Sequence, residues 1–121
     1  MSVEGPLSNI PDDVIEYLLD QRKRERELTI EKELLKELIK KVQDIMKMLE
    51  GRDDGLPCTI SAGNVYQMST VQQVRDNLAA NLSVTMVLFV KAHRKLLRIQ
   101  SDLRQDYHTV LETVHNSGTT N

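Results

Sequence analysis

The chain has 121 residues, of which 40% are hydrophobic and 28% charged, and its formal net charge is −2. This length accommodates one domain, and the small net charge gives no overall attraction to nucleic acid or to an anionic membrane surface. Aromatic residues are scarce at 3%, so we expect a core of aliphatic side chains, as in long helices. The single cysteine and the lack of a secretory signal predict an intracellular protein, in the cytoplasm rather than the nucleus.

The first predicted element is a long helix over residues 10–50, preceded by a flexible lead at residues 1–8. Its apolar residues form two sets: Leu28, Leu35, Val42 and Leu49 at intervals of seven, with Leu34, Leu38, Ile39, Ile45 and Met46 beside them. This face is wider than the two positions per heptad of a two-stranded coiled coil, which favours packing among several helices. Gly51 predicts the helix end, because glycine commonly follows a last turn.

Residues 51–68 form the predicted connector between two long helices. Gly55, Pro57 and Gly63 interrupt any regular pattern in this segment. The connector is long for a tight turn between helices. We therefore expect local structure within it, with an extended stretch at Cys58–Ile60.

The second predicted helix runs from residue 69 to about residue 115 and completes a helical hairpin over residues 9–115. Ser69 and Gln72 have the spacing of a capping box, which predicts the start of this helix. Residues 116–121 are expected to form a disordered tail.

A stripe of mostly apolar residues follows the second helix: Val71, Val74, Leu78, Leu82, Thr85, Phe89, Ala92, Leu96, Ile99, Leu103, Tyr107, Val110 and Val114. Its mean spacing is close to the 3.6 residues of a straight helix, which favours nearly straight bundle helices over a supercoiled zipper. The segment Asn77–Val90 carries no formal charge. It is shorter than the ~20 residues that a membrane-spanning helix requires, so no membrane span is predicted.

Apolar residues also lie outside this stripe, which predicts that the second helix contacts more than the chain's own first helix. The expected partner interface comprises six residues: Leu82, Val84, Val87, Leu88, Phe89 and Leu96. A basic stripe follows it on the same helix: Lys91, Arg94, Lys95 and Arg98. In an antiparallel hairpin we expect these cations beside the acidic residues Glu25, Glu27 and Glu31. The alternatives are an acidic protein partner and, less favoured, nucleic acid, since no aromatic residues accompany the stripe for base stacking.

No residue set in the sequence predicts catalysis, a cofactor or a metal centre. Cys58 lies far along the chain from His93, His108 and His115, so no histidine is placed to activate it as a nucleophile. The three histidines are too widely spaced to hold one zinc ion without a further ligand. We therefore expect a protein without enzymatic activity.

The segment Phe89–Tyr107 resembles the KxDL-motif proteins, small coiled-coil subunits of complexes that act on lysosomes and related organelles. The shared residues are Phe89, Arg94, Leu96, Asp102, Leu103 and Tyr107. Gln100 stands where that family has its lysine. The layout of two long helices is also similar to that of small kinetochore, spindle and Mediator subunits. These resemblances imply a role as a subunit of one of these complexes.

Together these patterns predict an all-α protein, a long antiparallel helical hairpin of the coiled-coil or bundle type within a multi-helix assembly. We expect a structural subunit of a hetero-oligomeric complex whose partners are other helical proteins. The alternative is a homodimeric four-helix bundle that acts as an adaptor. A single neighbouring helix would leave an apolar face of the second helix exposed. This favours the hetero-oligomeric subunit and the homodimeric adaptor alike, because burying such side chains stabilises association.

Overall fold

The structure is a computed structural model, and it describes residues 10–119. Two long helices, α1 (Asp12–Leu49) and α2 (Val71–Thr119), are joined by two short strands, β1 (Pro57–Ala62) and β2 (Val65–Thr70). The predicted helical hairpin is confirmed, with a small β-hairpin added in the connector. The predicted lead at residues 1–8 lies outside the described residues.

At three of the four helix termini, the local residues are of types that favour a helix end. Asp12 and Asp13 lie in the first turn of α1, where carboxylates favour the positive end of the helix dipole. Gly51 has a φ of 77° just past the last turn, a conformation that glycine adopts without steric cost. The exception is the far end of α2, which continues to Thr119 and not to about residue 115. The first residues of the predicted tail are therefore helical, and residues 120–121 lie outside the description.

The β-hairpin has a simple antiparallel register, from Pro57 opposite Thr70 to Ala62 opposite Val65. Its turn has Gly63 at the first central position with a φ of 62°, as a type II′ turn requires. The expected extended stretch at Cys58–Ile60 lies within β1, so the strand is longer than the sequence indicated.

The capping box of α2 lies one residue further along than predicted. The amide of Gln73 donates to Thr70 Oγ1 at 3.2 Å, and the Thr70 amide donates to Gln73 Oε1 at 3.0 Å. The Ser69 hydroxyl instead donates to Gln73 Oε1 at 2.8 Å, so it caps no amide of the helix. The box pattern was correctly recognised, and its position was wrong because the strand continues directly into the helix.

Contacts divide the chain into two compact units. The terminal unit contains α1 up to Glu31 and α2 from Ala92 onward. Its core is a buried aliphatic cluster against which Leu18 packs: Leu28, Leu96, Ile99 and Leu103. Leu28 comes from α1 and the other three from α2, so this cluster joins the two helices within the unit.

The central unit comprises Lys32–Lys91. Val42 of α1 and Val71 at the start of α2 are buried, and Val71 is the more enclosed, with 1% exposure. Thr85 is also buried, and its hydroxyl donates to the Asn81 carbonyl at 2.7 Å. Because that bond lies within the helix, the threonine needs no further polar partner.

Burial along each helix repeats every seven residues, alternating steps of three and four. In α1 the buried or half-buried positions include Leu28, Lys32, Leu35, Ile39, Val42, Met46 and Leu49. In α2 they include Val71, Arg75, Leu78, Leu82, Thr85, Phe89, Ala92, Leu96, Ile99, Leu103, Asp106 and Val110. From Val71 to Val110 this is the heptad alternation of a coiled coil, whereas the sequence analysis placed Val74 and Tyr107 in the stripe and favoured nearly straight bundle helices.

The error came from treating apolar residues as buried and polar ones as exposed. Arg75 and Asp106 occupy positions of the buried stripe of α2, whereas Tyr107 is 39% exposed. The chain itself covers only part of the wide face predicted for α1, at Ile39 and Met46. Leu34, Leu38 and Ile45 are 61%, 46% and 43% exposed. Each helix therefore buries a narrow stripe against the other parts of its own unit.

Candidate interaction surface

The β-hairpin forms a sheet of only two strands in the described part of the chain. Each strand therefore has one paired edge and one open edge, where backbone N–H and C=O groups face outward. Such edges are templates for pairing with another strand, and an isolated two-stranded hairpin is at best marginally stable in water.

The side chains of β2 add apolar surface to this open sheet. Val65, Tyr66 and Met68 are 66%, 73% and 69% exposed. Met68 is paired with Thr59 across the hairpin, and the Thr59 hydroxyl contacts its sulfur at 3.5 Å. Tyr66 and Met68 lie on one face of the hairpin and Val65 on the other, because side chains alternate along a strand, so both faces present large apolar side chains to solvent.

Arg75 fixes the hairpin to the end of α1 within the central unit. Its guanidinium donates to the carbonyls of Leu49 and Arg52, each at 2.6 Å, and forms an ion pair with Asp54. These carbonyls follow the end of the helical hydrogen-bond pattern, where acceptors lack intrahelical donors. A planar guanidinium with several N–H groups can satisfy both carbonyls and the carboxylate together.

Two backbone hydrogen bonds support the same junction. The Val71 amide donates to the Leu56 carbonyl at 2.9 Å, and the Gln72 amide donates to the Asp54 carbonyl at 3.0 Å. The first turn of α2 therefore obtains acceptors from the segment before β1. Together with Arg75, these bonds hold both ends of the β-hairpin on a helical base.

The predicted partner interface on α2 separates into exposed and enclosed residues. Val84, Val87 and Leu88 are 61%, 54% and 46% exposed. Leu82 and Phe89 are half-buried, and the ammonium of Lys32 lies 5.8 Å from the centre of the Phe89 ring.

Leu96 was expected at a partner interface, but it is only 5% exposed. It packs with Leu28, Ile99 and Leu103 in the core of the terminal unit. Since its position falls in the seven-residue burial pattern of α2, the chain's own first helix covers it. It belongs to the intramolecular core.

The basic stripe Lys91, Arg94, Lys95 and Arg98 is exposed along α2. Glu25, expected beside it, pairs instead with Arg22 of its own helix at 2.7 Å. Among the described residues no ion pair joins the stripe to Glu25, Glu27 or Glu31. Arg22 lies three residues before Glu25, on the same helical surface, so the intrahelical pair forms without bringing two helices into register.

The described residues contain no group of three or more histidine, cysteine or acidic side chains arranged to hold a metal ion. Cys58 is a free, half-buried thiol on β1. Within the same part of the chain, no helix has a stretch that is both long and apolar enough to cross a membrane.

Comparison with known proteins gives structural likenesses but no sequence match. No family model matches the sequence, and no curated protein matches it. The chain is similar to the solved structure of the prefoldin beta subunit from Thermococcus strain KS-1, with a TM-score of 0.78 and 12% sequence identity. The match covers 88% of this chain and 96% of that one. The two proteins therefore share a fold, a coiled-coil helical hairpin with a β-hairpin between the helices.

Proposed function

We propose that this chain is a non-enzymatic structural subunit of a hetero-oligomeric complex of helical proteins, joined to its partners through the open edges of β1 and β2. The observation that carries this proposal is the two-stranded sheet with exposed apolar side chains. We also propose that the protein works inside the cell, most of it in the cytoplasm. The free thiol of Cys58 is in keeping with a reducing compartment.

The energetics of the β-hairpin favour partner strands. Val65, Tyr66 and Met68 remain largely in water, and burying apolar surface contributes about 25 cal/mol per Å². Strands added at the two edges satisfy the outward backbone groups and place their own side chains beside these apolar ones. The junction at Arg75 holds the hairpin in place beforehand, which lowers the ordering cost of association.

The structural likeness supports the same proposal. The similar protein is named as a subunit, and this chain shares its arrangement of two helices and a β-hairpin. Fold alone does not determine function. The proposal therefore rests on the open strand edges, and the structural likeness supports it.

Backbone register identifies where a partner strand can be blocked. A two-residue turn places Ala62 and Val65 in a hydrogen-bonded pair, and such pairs alternate with non-bonded pairs along an antiparallel ladder. The pair of Thr59 and Met68 is then non-bonded, so the N–H of each residue faces outward. Proline at either position removes an outward donor and keeps the β1–β2 bonds, as edge prolines do.

The test is size-exclusion chromatography of the tagged full chain from its native cells, for the wild type and for Thr59→Pro, Met68→Pro and the matched control Thr59→Val. We expect wild type and Thr59→Val in one discrete complex of fixed stoichiometry. Both proline variants should keep their helical circular dichroism and elute as the free chain. Elution of the wild type as a folded monomer, or proline variants that remain fully assembled, would contradict the proposal.

A further inference from the structure

A second seam runs along α2, on the side of the helix away from its buried stripe. Asp76, Ala80, Ser83, Val87 and Val90 are spaced by alternating steps of four and three, and all five are exposed. This is the heptad spacing with which one helix packs against another. The buried stripe of the same segment, from Leu78 to Phe89, lies on the opposite side.

This seam is self-complementary in size when two copies lie antiparallel. With Thr85 at the centre, Ala80 of one copy faces Val90 of the other, and Ser83 faces Val87. Each layer then combines a small side chain with a branched one, which fills space without voids. A parallel pair would instead place Ala80 on Ala80 and Ser83 on Ser83, which leaves gaps.

The seam is also self-complementary in charge. The segment Asn77–Val90 has no formal charge and is bounded by Asp76 and Lys91, both exposed. In the antiparallel register centred on Thr85, Lys91 of one copy lies about one turn from the position that faces Asp76 of the other, within reach of its carboxylate at both ends. A parallel pair would bring like charges together, which is repulsive.

Burial of this seam in a dimer would leave no hydroxyl without a hydrogen-bond partner. Ser83 is its only hydroxyl, and that hydroxyl donates to the Ala79 carbonyl at 3.1 Å. The side chain is therefore satisfied within its own helix and can be covered without losing a hydrogen bond to water. The apolar member of the same layer, Val87, is 54% exposed and gains from being covered.

We infer that this face binds a second copy of the chain, with the two α2 helices antiparallel. The surface is separate from the strand edges, so the contact does not depend on the proposed hairpin partners. Four turns of helix give a smaller area than the roughly 800 Å² per partner of a standard interface, and the contact is therefore a reversible one. In a larger complex, this α2–α2 contact joins copies of the chain in pairs.

The test is sedimentation equilibrium of the purified full chain over a concentration series, with charge-reversal variants. We expect a monomer–dimer equilibrium for the wild type, and a dissociation constant raised about tenfold or more in D76K and in K91D, because both end pairs become repulsive. An equimolar mixture of D76K and K91D restores both attractive pairs, and so does the double variant. Recovery of wild-type association in both cases is the predicted result.

Val87→Glu and Met86→Glu provide a matched pair at adjacent positions of similar exposure, 54% and 47%. Val87→Glu should abolish the dimer, since its charge lies in the seam, and Met86→Glu should leave it intact. A wild-type chain that stays monomeric throughout the series overturns the inference, and so does a mixture that associates no better than the single variants. Thr59→Pro leaves this dimer unchanged, so failure here is distinguishable from failure of the hairpin proposal.

Discussion

The guanidinium of Arg75 donates to the backbone carbonyl of Leu49 at 2.6 Å, across 26 positions of sequence. This bond connects the second turn of α2 to the last residue of α1. The same side chain also bonds the Arg52 carbonyl and pairs with Asp54. This one side chain therefore holds the base of the β-hairpin together with the two backbone hydrogen bonds of the junction.

Replacement of Arg75 should destabilise the protein. We expect Arg75→Leu to lower the free energy of unfolding by about 1–3 kcal/mol, because the Arg52 carbonyl and the Asp54 carboxylate lose a donor and the Leu49 carbonyl keeps only the Arg52 amide. Arg75→Lys should recover only part of this loss, since a single ammonium cannot reproduce the planar fork. Urea unfolding measures the change. The control Arg52→Ala keeps the backbone acceptor and should shift stability by less than about 0.5 kcal/mol, and an equal loss in both variants would contradict this role.

Replacement of Asp106 should have the opposite effect. Asp106 is half-buried in the stripe of α2, and its Oδ2 is enclosed without a hydrogen-bond partner among the described residues. We expect Asp106→Leu to raise the free energy of unfolding by about 1 kcal/mol, because an unsatisfied polar group gives way to an apolar one. Thermal unfolding measures the shift. The exposed Asp102 provides the control, and a stability gain of the same size in Asp102→Leu would point to a general charge effect.

Truncation of Leu103 should reveal the core of the terminal unit. Leu103 is 3% exposed and packs with Leu28, Leu96 and Ile99, so Leu103→Ala should cost about 2–5 kcal/mol. Leu111 is 65% exposed on the same helix, and Leu111→Ala should cost less than about 0.5 kcal/mol. Chemical unfolding of the two variants distinguishes the positions. Equal losses would show that the assigned core is incorrect.

Removal of the α2 cap should loosen the junction of strand and helix. Thr70 Oγ1 accepts a hydrogen bond from the Gln73 amide, and Thr70→Ala should cost about 0.5–2 kcal/mol. Ser69→Ala tests the position that the sequence favoured, and we expect a smaller loss there. Urea unfolding compares the two. A larger loss at Ser69 would place the cap where the sequence analysis first predicted it.

The helical hairpin could be predicted because its signals are long and redundant. Leu28, Leu35, Val42 and Leu49 at intervals of seven predict one buried face, and Gly51 correctly predicts where α1 ends. The β-hairpin was harder to recognise, since PCTISA and VYQMST are short and lack a clear apolar alternation. The signal that was missed is Gly63 followed by Asn64, a two-residue turn between two extended segments.

The remaining errors share a physical cause. Arg75 is enclosed because it satisfies backbone carbonyls, and Asp106 because the helical repeat places it in the stripe. Hydrophobicity alone excludes both residues and selects Val74 and Tyr107 in their place, which breaks the strict alternation of three- and four-residue steps. A strict test of alternating three- and four-residue steps would have included them. Leu96 shows the reverse case, since an apolar residue expected at a partner interface is covered by the chain itself.

Amide hydrogen exchange at Thr59 and Met68 is the most direct test of partner binding through the strand edges, because both N–H groups face the open edges of the β-hairpin. If partner strands pair with these edges, we expect fast exchange at both amides in the isolated chain and slow exchange in the assembled complex. The amides of Ile60 and Gln67, paired across the hairpin, serve as internal references whose protection changes less. If Thr59 and Met68 exchange equally fast in the free chain and in the complex, the strand edges do not bind its partners.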